Sequence, residues 1–225
     1  LFDYFKMTGA PPLIPRFALG NWWSRNIEYD DLKIIDLIRK FDRKKIPISV
    51  MLFDHDWHIR NTDTAKDLKT GFTFNKQLIK DPKIMINEFH KRGIRVGLCV
   101  NPTNGIYPHE EHYPQAIEYL GLQAPAIIEI DPLNPKLLDV LFKMFLHPLE
   151  ALGVDFFWND SDGKGDLTKL WALDHYLYLD AGRNTKKRAL LLSRGSVIAP
   201  HRYPVIYGGS SEISWRHLKQ LPFIA

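Results

Sequence analysis

Apolar residues along this chain keep two different periods. Short, mostly apolar runs fall at 17–23, 48–54, 94–101, 153–158, 188–194 and 205–210. Runs of that length, rich in β-branched and aromatic residues, predict strands covered on both faces. Between them lie longer stretches with helical spacing. In 26–45, Leu32, Ile35, Ile38 and Phe41 recur every third residue, with acidic residues early and basic ones late, which predicts a helix facing the core through those four side chains. Helices are also predicted from Asp81-Pro82 to Gly93, over 136–152 with Leu137, Leu141, Met144 and Phe145 on one side, over 167–183, and from near Trp215. Asp81-Pro82 and Asn134-Pro135 each place a capping residue before a first-turn proline. The piece 126–131 is extended, with no settled place in this series.

Strands alternating with helices at this spacing imply βαβ units and a parallel sheet. No strand-to-helix turn carries a glycine-rich phosphate fingerprint, and Gly208-Gly209 lacks the rest of one, which argues against a nucleotide-binding doubly wound fold. The long connections 55–80 and 102–113 are polar, and loops of that length are usually functional or disordered. The residues gathered at strand ends are carboxylates, aromatics and an arginine: Trp22, Trp23, Asp54, Asp56, Trp57, Asn101, Trp158, Asp160 and Arg194. Such a set suits a sugar pocket. Aromatic faces cover the C–H face of a pyranose, while carboxylates and guanidinium take its hydroxyls. The key stretch is 153–163, a short strand that runs out into Asp160 and Asp162. In a barrel of parallel strands and helices that edge carries the chemistry.

Composition narrows the field without changing it. The chain of 225 residues is 45% hydrophobic and 12% aromatic, as expected of a packed globular protein. Its net charge of +4 is spread over helix-like segments in short pairs such as Lys44-Lys45, a solvated surface and not a nucleic-acid footprint. The single cysteine, Cys99, lies in an apolar run, so it reads as a small buried residue. No apolar run approaches the roughly 20 residues that span a bilayer. The N-terminus has neither a signal-peptide core nor an initiator Met. These features give an expectation of a cytoplasmic chain that begins inside a longer polypeptide. Residues 1–16, broken by Pro11, Pro12 and Pro15, read as a leading segment from a preceding domain, and 17–225 as the barrel.

Taken together, these residues resemble glycoside hydrolase family 31, the α-glucosidases and α-xylosidases. Pro-Arg-Phe-Ala-Leu-Gly-Asn-Trp-Trp-Ser (15–24) resembles the family's first barrel strand. Phe-Asp-His-Asp-Trp (53–57) resembles its Asp-x-Asp-aromatic motif, and Phe-Trp-Asn-Asp (157–160) its nucleophile motif. Leu-Leu-Ser-Arg (191–194) with His-Arg-Tyr-Pro-Val (201–205) resembles the strand that carries a substrate-binding Arg. The resemblance is collinear over essentially the whole chain. It implies a (β/α)8 TIM barrel and retaining hydrolysis of an α-linked oligosaccharide or glycoside, with no cofactor and no metal. Asp160 is then the nucleophile. Asp54 and Arg194 hold sugar hydroxyls, Trp158 walls the subsite, and Asp56, Trp57 and Trp23 are its neighbours.

Two departures qualify that expectation. The family's acid/base Asp falls on Ser210 of Tyr207-Gly208-Gly209-Ser210-Ser211-Glu212-Ile213-Ser214-Trp215. A hydroxyl is too weak an acid for the role, and losing general acid catalysis removes about 10²–10⁴ in rate. Glu212, two residues on, is the candidate substitute. The chain also offers only about six strand-helix units, so the barrel is expected to be incomplete, lacking the last strands and the family's N-terminal β-sandwich. Exposed strand edges predict self-association or companion segments. Two readings stay open: a glycosidase with an altered acid step, and a non-catalytic carbohydrate binder or inactive barrel fragment. His55, His58, His109 and His112 lack the spacing of a zinc motif and read as surface histidines.

Overall fold

The computed structural model describes residues 1–60, 70–124, 127–161, 165–184, 187–194, 199–203, 205–209 and 212–224. Six parallel strands follow one another in both sequence and space: β1 (Trp22–Arg25), β2 (Val50–Phe53), β3 (Arg95–Val100), β4 (Phe156–Asn159), β5 (Leu191–Ser193) and β6 (Val205–Ile206). The sheet curls but does not close, giving the open barrel that six strands predict. Helices α1 (Phe2–Thr8), α2 (Asp31–Arg43), α3 (Pro82–Lys91), α4 (Tyr113–Leu120), α5 (Pro135–Val140), α6 (His147–Leu152), α7 (Leu167–Ala181) and α8 (Trp215–Ile224) complete the described elements. No helix among the described residues is long and apolar enough to cross a membrane.

The alternation of each strand sorts its side chains between two apolar layers. Met51, Phe53, Val96, Leu98, Val100 and Phe157 face the helices, where they pack with Ile34, Ile38, Ile86, Phe89, Leu141 and Leu173. Val50, Leu52, Cys99, Phe156, Trp158 and Leu192 face the barrel interior. Gly97 shares the interior parity, and a Cβ there would lie 2.5 Å from Phe156 Cζ. Its missing side chain is what lets the Phe156 ring lie across β3.

The helices start where the capping residues stand. Asp81 accepts from Ile84 N at 2.9 Å ahead of Pro82, and Asn134 accepts from Lys136 N at 3.0 Å ahead of Pro135. Such caps contribute about 1 kcal/mol each. Three expectations need correction. The buried face of α2 is Ile34 and Ile38, with Leu37 and Phe41 beside them, while Leu32 and Ile35 are exposed. The apolar stripe follows the i, i+4 ridge, and a strict step of three drifts off the core. The predicted first strand is a 3-10 turn at Arg16–Leu19 followed by β1. The predicted helix 136–152 passes through a π segment, Leu141–Leu146, just before Pro148. The wider turn accommodates the proline, which cannot donate and would clash with the carbonyl four residues back.

The described parts of the connection after β2, 54–60 and 70–81, pack against the sheet. His58 bridges antiparallel to Phe74, and Phe72, Thr73 and Phe74 are buried. The extended piece near 128 forms an isolated antiparallel bridge from Ile128 to Ile106, outside the sheet. The surface reading of the histidines fails for His109, whose side chain is 9% exposed with both ring nitrogens buried, and fails more fully for His55 and His58, which are 3% and 1% exposed. Aromatic neighbours cover both, with Trp57 5.5 Å from the His58 ring.

Burial pushes the His58 imidazole down to about 4, although its backbone hydrogen bond to Ile59 and the nearby Glu110 charge oppose the shift. Between that value and about 6.5 the unfolded chain binds a proton that the native chain refuses. Stability from this group is therefore complete above pH 6.5 and is lost as pH falls toward 4, by about 3 kcal/mol. Urea unfolding at pH 7 and pH 4.5 should show that loss, and His58→Gln should flatten it. A pH slope unchanged in the variant would refute the assignment.

Candidate functional site

The parallel register brings the C-terminal ends of β2 to β5 to one edge of the sheet. Continuing the alternation, Asp54, Asn101, Asp160 and Arg194 follow the interior-facing residues Leu52, Cys99, Trp158 and Leu192 by two positions each. Asp160 is 8% exposed. Its backbone N donates to Val100 O at 3.0 Å, which ties it to β3, and Asn101 Nδ2 donates to its carbonyl at 3.3 Å.

The Asp160 carboxylate is held from two sides. His55 Nε2 lies 3.0 Å from Oδ2. Arg194 Nε donates to Oδ1, and its Nη2 lies 3.4 Å from Oδ2. An ionised carboxylate only accepts, so His55 carries a proton on Nε2. Burial by itself raises the Asp160 pKa, because desolvation disfavours the charged form. The hydrogen bonds from His55 and Arg194, with the arginine charge, outweigh burial and hold the carboxyl below its ordinary value. Asp160 is thus a desolvated but ionised carboxylate at a strand end.

The ring of Trp158 lies beside this carboxylate, edge-on to Tyr207 at 4.9 Å and 6.5 Å from the His55 ring. Its buried Nε1 has no hydrogen-bond partner among the described residues. Asp54 lies within 3.6 Å of His55 Nε2 and accepts from His55 N at 2.9 Å. A cavity of about 360 Å³ opens beside Arg194, Tyr207, Gly208 and Gly209. Asp160, Arg194, Trp158 and Asp54 therefore come together as one set.

Other sequence-predicted residues stand apart. Asp56 pairs with Arg60. Trp57 is 1% exposed, donates to Cys99 O at 2.9 Å and packs on Phe74. Trp23 faces the helices, edge-on to Phe41 at 5.1 Å, and donates to Tyr29 Oη. It lines a larger cavity of about 410 Å³ between β1 and α2, rimmed by Lys33, Lys40 and Lys44 and remote from the carboxylate set. Trp22 is the ring that faces inward, 5.2 Å from Phe156. Glu212 is exposed, and Ser210 lies outside the described residues.

Sequence reasoning missed His55, Cys99, Tyr207 and a buried polar lock beneath the site. Asp174 of α7 is 1% exposed and accepts from Asn159 Nδ2 at 2.8 Å and Ser193 Oγ at 2.7 Å. These donors come from the ends of β4 and β5, so one carboxylate fixes the spacing of the strands that carry Asp160 and Arg194. Strand parity gives the signal for Cys99, which shares its face with Asn101. A polar pair at Asn159 and Ser193, on the face otherwise given to helix packing, gives the signal for Asp174.

A helix-covered parallel sheet with ionisable residues gathered at its C-terminal edge belongs to the β/α-barrel class. The chain is a member of glycosyl hydrolase family 31: the family's TIM-barrel domain matches residues 11–222. An α-xylosidase of Saccharolobus solfataricus is 27% identical over 158 residues, covering 70% of this chain and 20% of the relative. Alpha-glucosidase 2 of Bacillus thermoamyloliquefaciens is 22% identical over 97% of this chain and 32% of its own length. The chain thus spans a fifth to a third of these curated relatives. The solved family 31 α-glucosidase of Bacteroides thetaiotaomicron superposes with a TM-score of 0.72 at 24% identity, over 96% of this chain and 40% of that one. That likeness establishes the fold.

Replacing Asp174 with Ala should leave Asn159 and Ser193 without their buried acceptor, at a cost of about 3–5 kcal/mol. Asp174→Asn, which keeps the volume, should cost less. Urea midpoints for the two variants test this, and equal midpoints with wild type would contradict the lock.

Proposed function

We propose that this chain carries the sugar-binding and nucleophilic half of a retaining α-glycosidase site acting on α-linked oligosaccharides. The observation that carries the proposal is Asp160, buried yet ionised between His55 and Arg194 at the end of β4. A nucleophile for an anomeric carbon must be a carboxylate and not an acid, and it must be shielded from bulk water. Family membership supports the same chemistry. Asp54 and Arg194 are assigned to hydroxyls of the bound sugar, and Trp158 to its wall. The unpartnered Trp158 Nε1 is a donor that a hydroxyl would satisfy.

The reaction has two steps. Asp160 Oδ attacks the anomeric carbon as the glycosidic C–O bond breaks, and the leaving oxygen takes a proton. Water then displaces Asp160 and gives up a proton. The proton donor of the first step normally stands about 5–5.5 Å from the nucleophile. Ser210 holds that position in sequence and supplies no usable acid. Glu212, two residues on in sequence, is the candidate replacement, and an undiminished disaccharide rate would point to it.

The test is dependence on the leaving group. An aryl α-glucoside with an acidic phenol needs no proton and should be turned over. An α-linked disaccharide, whose leaving alkoxide does need one, should react about 10²–10⁴-fold more slowly. Asp160→Asn should abolish both reactions. Equal rates for the two substrates would refute the altered acid step.

The serine at position 210 favours a second reading, a carbohydrate binder without turnover. Saturable sugar binding by calorimetry, with no hydrolysis of the activated glycoside, would select it. Cytoplasmic residence, self-association through the open sheet edges, and the division into a leading segment 1–16 and a barrel 17–225 stand as proposals on the same footing.

A further inference from the structure

Asp54, His55 and Cys99 each turn a metal-ligating atom toward one point, with the three atoms within 4.8 Å of one another. His55 Nε2 is 3.6 Å from Asp54 Oδ1, 3.6 Å from Cys99 Sγ and 3.0 Å from Asp160 Oδ2. A tetrahedral ion with bonds of about 2.0–2.3 Å holds its ligand atoms about 3.3–3.6 Å apart. The two 3.6 Å distances from His55 Nε2 match that edge length, and the remaining edge, Asp54 to Cys99, is within 4.8 Å. The three ligands come from the ends of two adjacent paired strands, β2 and β3, so the sheet fixes their spacing.

We propose that these residues form a site for a borderline-soft divalent cation, zinc in particular. Asp54, His55 and Cys99 are its three protein ligands, and a water molecule takes the fourth position, as in zinc sites with three protein ligands. Thiolate, imidazole and carboxylate together suit zinc, whereas magnesium and calcium prefer an all-oxygen set. Charge supports the assignment. Two carboxylates and a Cys99 thiolate offset the ion and the Arg194 guanidinium, leaving the cluster neutral. Arg194 grips Asp160 Oδ1 and keeps that carboxylate oriented with Oδ2 toward His55.

Proton balance follows from the ligands. Cys99 releases its thiol proton as the sulfur–metal bond forms. His55 must free Nε2, and its proton can move to Nδ1, which has no hydrogen-bond partner among the described residues. The site goes beyond the sugar reading and competes with it, because Asp54 serves in both and His55 Nε2, which holds Asp160 Oδ2 at 3.0 Å, turns to the metal. Bound zinc would therefore inhibit any glycosidase turnover.

Cobalt(II) is the probe. The chain has a single cysteine, so a thiolate-to-cobalt charge-transfer band reports Cys99 alone. Titrating the full chain with cobalt(II) chloride should raise that band together with visible bands of tetrahedral intensity, and zinc(II) should erase both stoichiometrically. Cys99→Ser should remove the charge-transfer band, and Asp54→Asn should weaken zinc binding about tenfold or more. Asp54→Asn lies at a strand end, not in the packed interior, so it tests the site even if Cys99→Ser folds poorly. No thiolate band in the folded wild-type chain would overturn the proposal, as would unchanged zinc affinity in Asp54→Asn. Neither readout depends on turnover, so their failure would leave the glycosidase reading untouched.

Discussion

Parallel pairing in a common register is the constraint from which the rest of this molecule follows. The strands β2, β3, β4 and β5 pair with alternate residues on the same side. One parity meets the helices and the other meets the interior, and all the strands finish at one edge. Residues far apart in the chain then converge without any local motif. Asp54 and Asp160 are separated by 106 positions and Asp160 and Arg194 by 34, yet His55 and Arg194 grip the same carboxylate. The asymmetry of a parallel sheet is what makes its C-terminal edge a site.

Holding a carboxylate there has a physical cost that the neighbours offset. Burial opposes ionisation, and the His55 and Arg194 hydrogen bonds reverse the balance. Beneath them Asp174 accepts from Asn159 and Ser193, so a second buried polar group is tolerated inside because donors satisfy it. The two layers are coupled through β4. Asn159 faces down to Asp174 while its neighbour Asp160 faces up to the site, so a change in either shifts the strand that both share.

Much of this was legible before any coordinates. The alternation of apolar runs and helical stretches predicted six parallel strands in order, the first displaced toward its C-terminal end by a 3-10 turn, and cap-proline pairs placed the starts of α3 and α5. The Asp160, Arg194, Trp158 and Asp54 set also followed from strand ends and from the family resemblance. What was not legible has specific causes. Helix α4 spans only Tyr113–Leu120, and its three buried residues, Tyr113, Ala116 and Ile117, cover too few turns to repeat a helical period. Trp57 and Trp23 stand at strand ends in the sequence, but a 3-10 turn carries one into the core and strand parity turns the other toward α2. His55 reads as an exposed loop residue, because only the fold reveals that the turn after β2 tucks its ring between Asp160 and Cys99.

The central claim is that Asp160 is a working nucleophile. The most direct measurement is incubation of the folded chain with an activated 5-fluoro or 2-deoxy-2-fluoro α-glucosyl donor, followed by peptide mass spectrometry. The fluorine slows both steps while the activated leaving group speeds only the first, so a glycosyl-enzyme should accumulate without help from a general acid. The account predicts one sugar per chain, on the peptide containing Asp160 and absent from Asp160→Asn. An unmodified chain that is demonstrably folded, or a sugar on another residue, would contradict it.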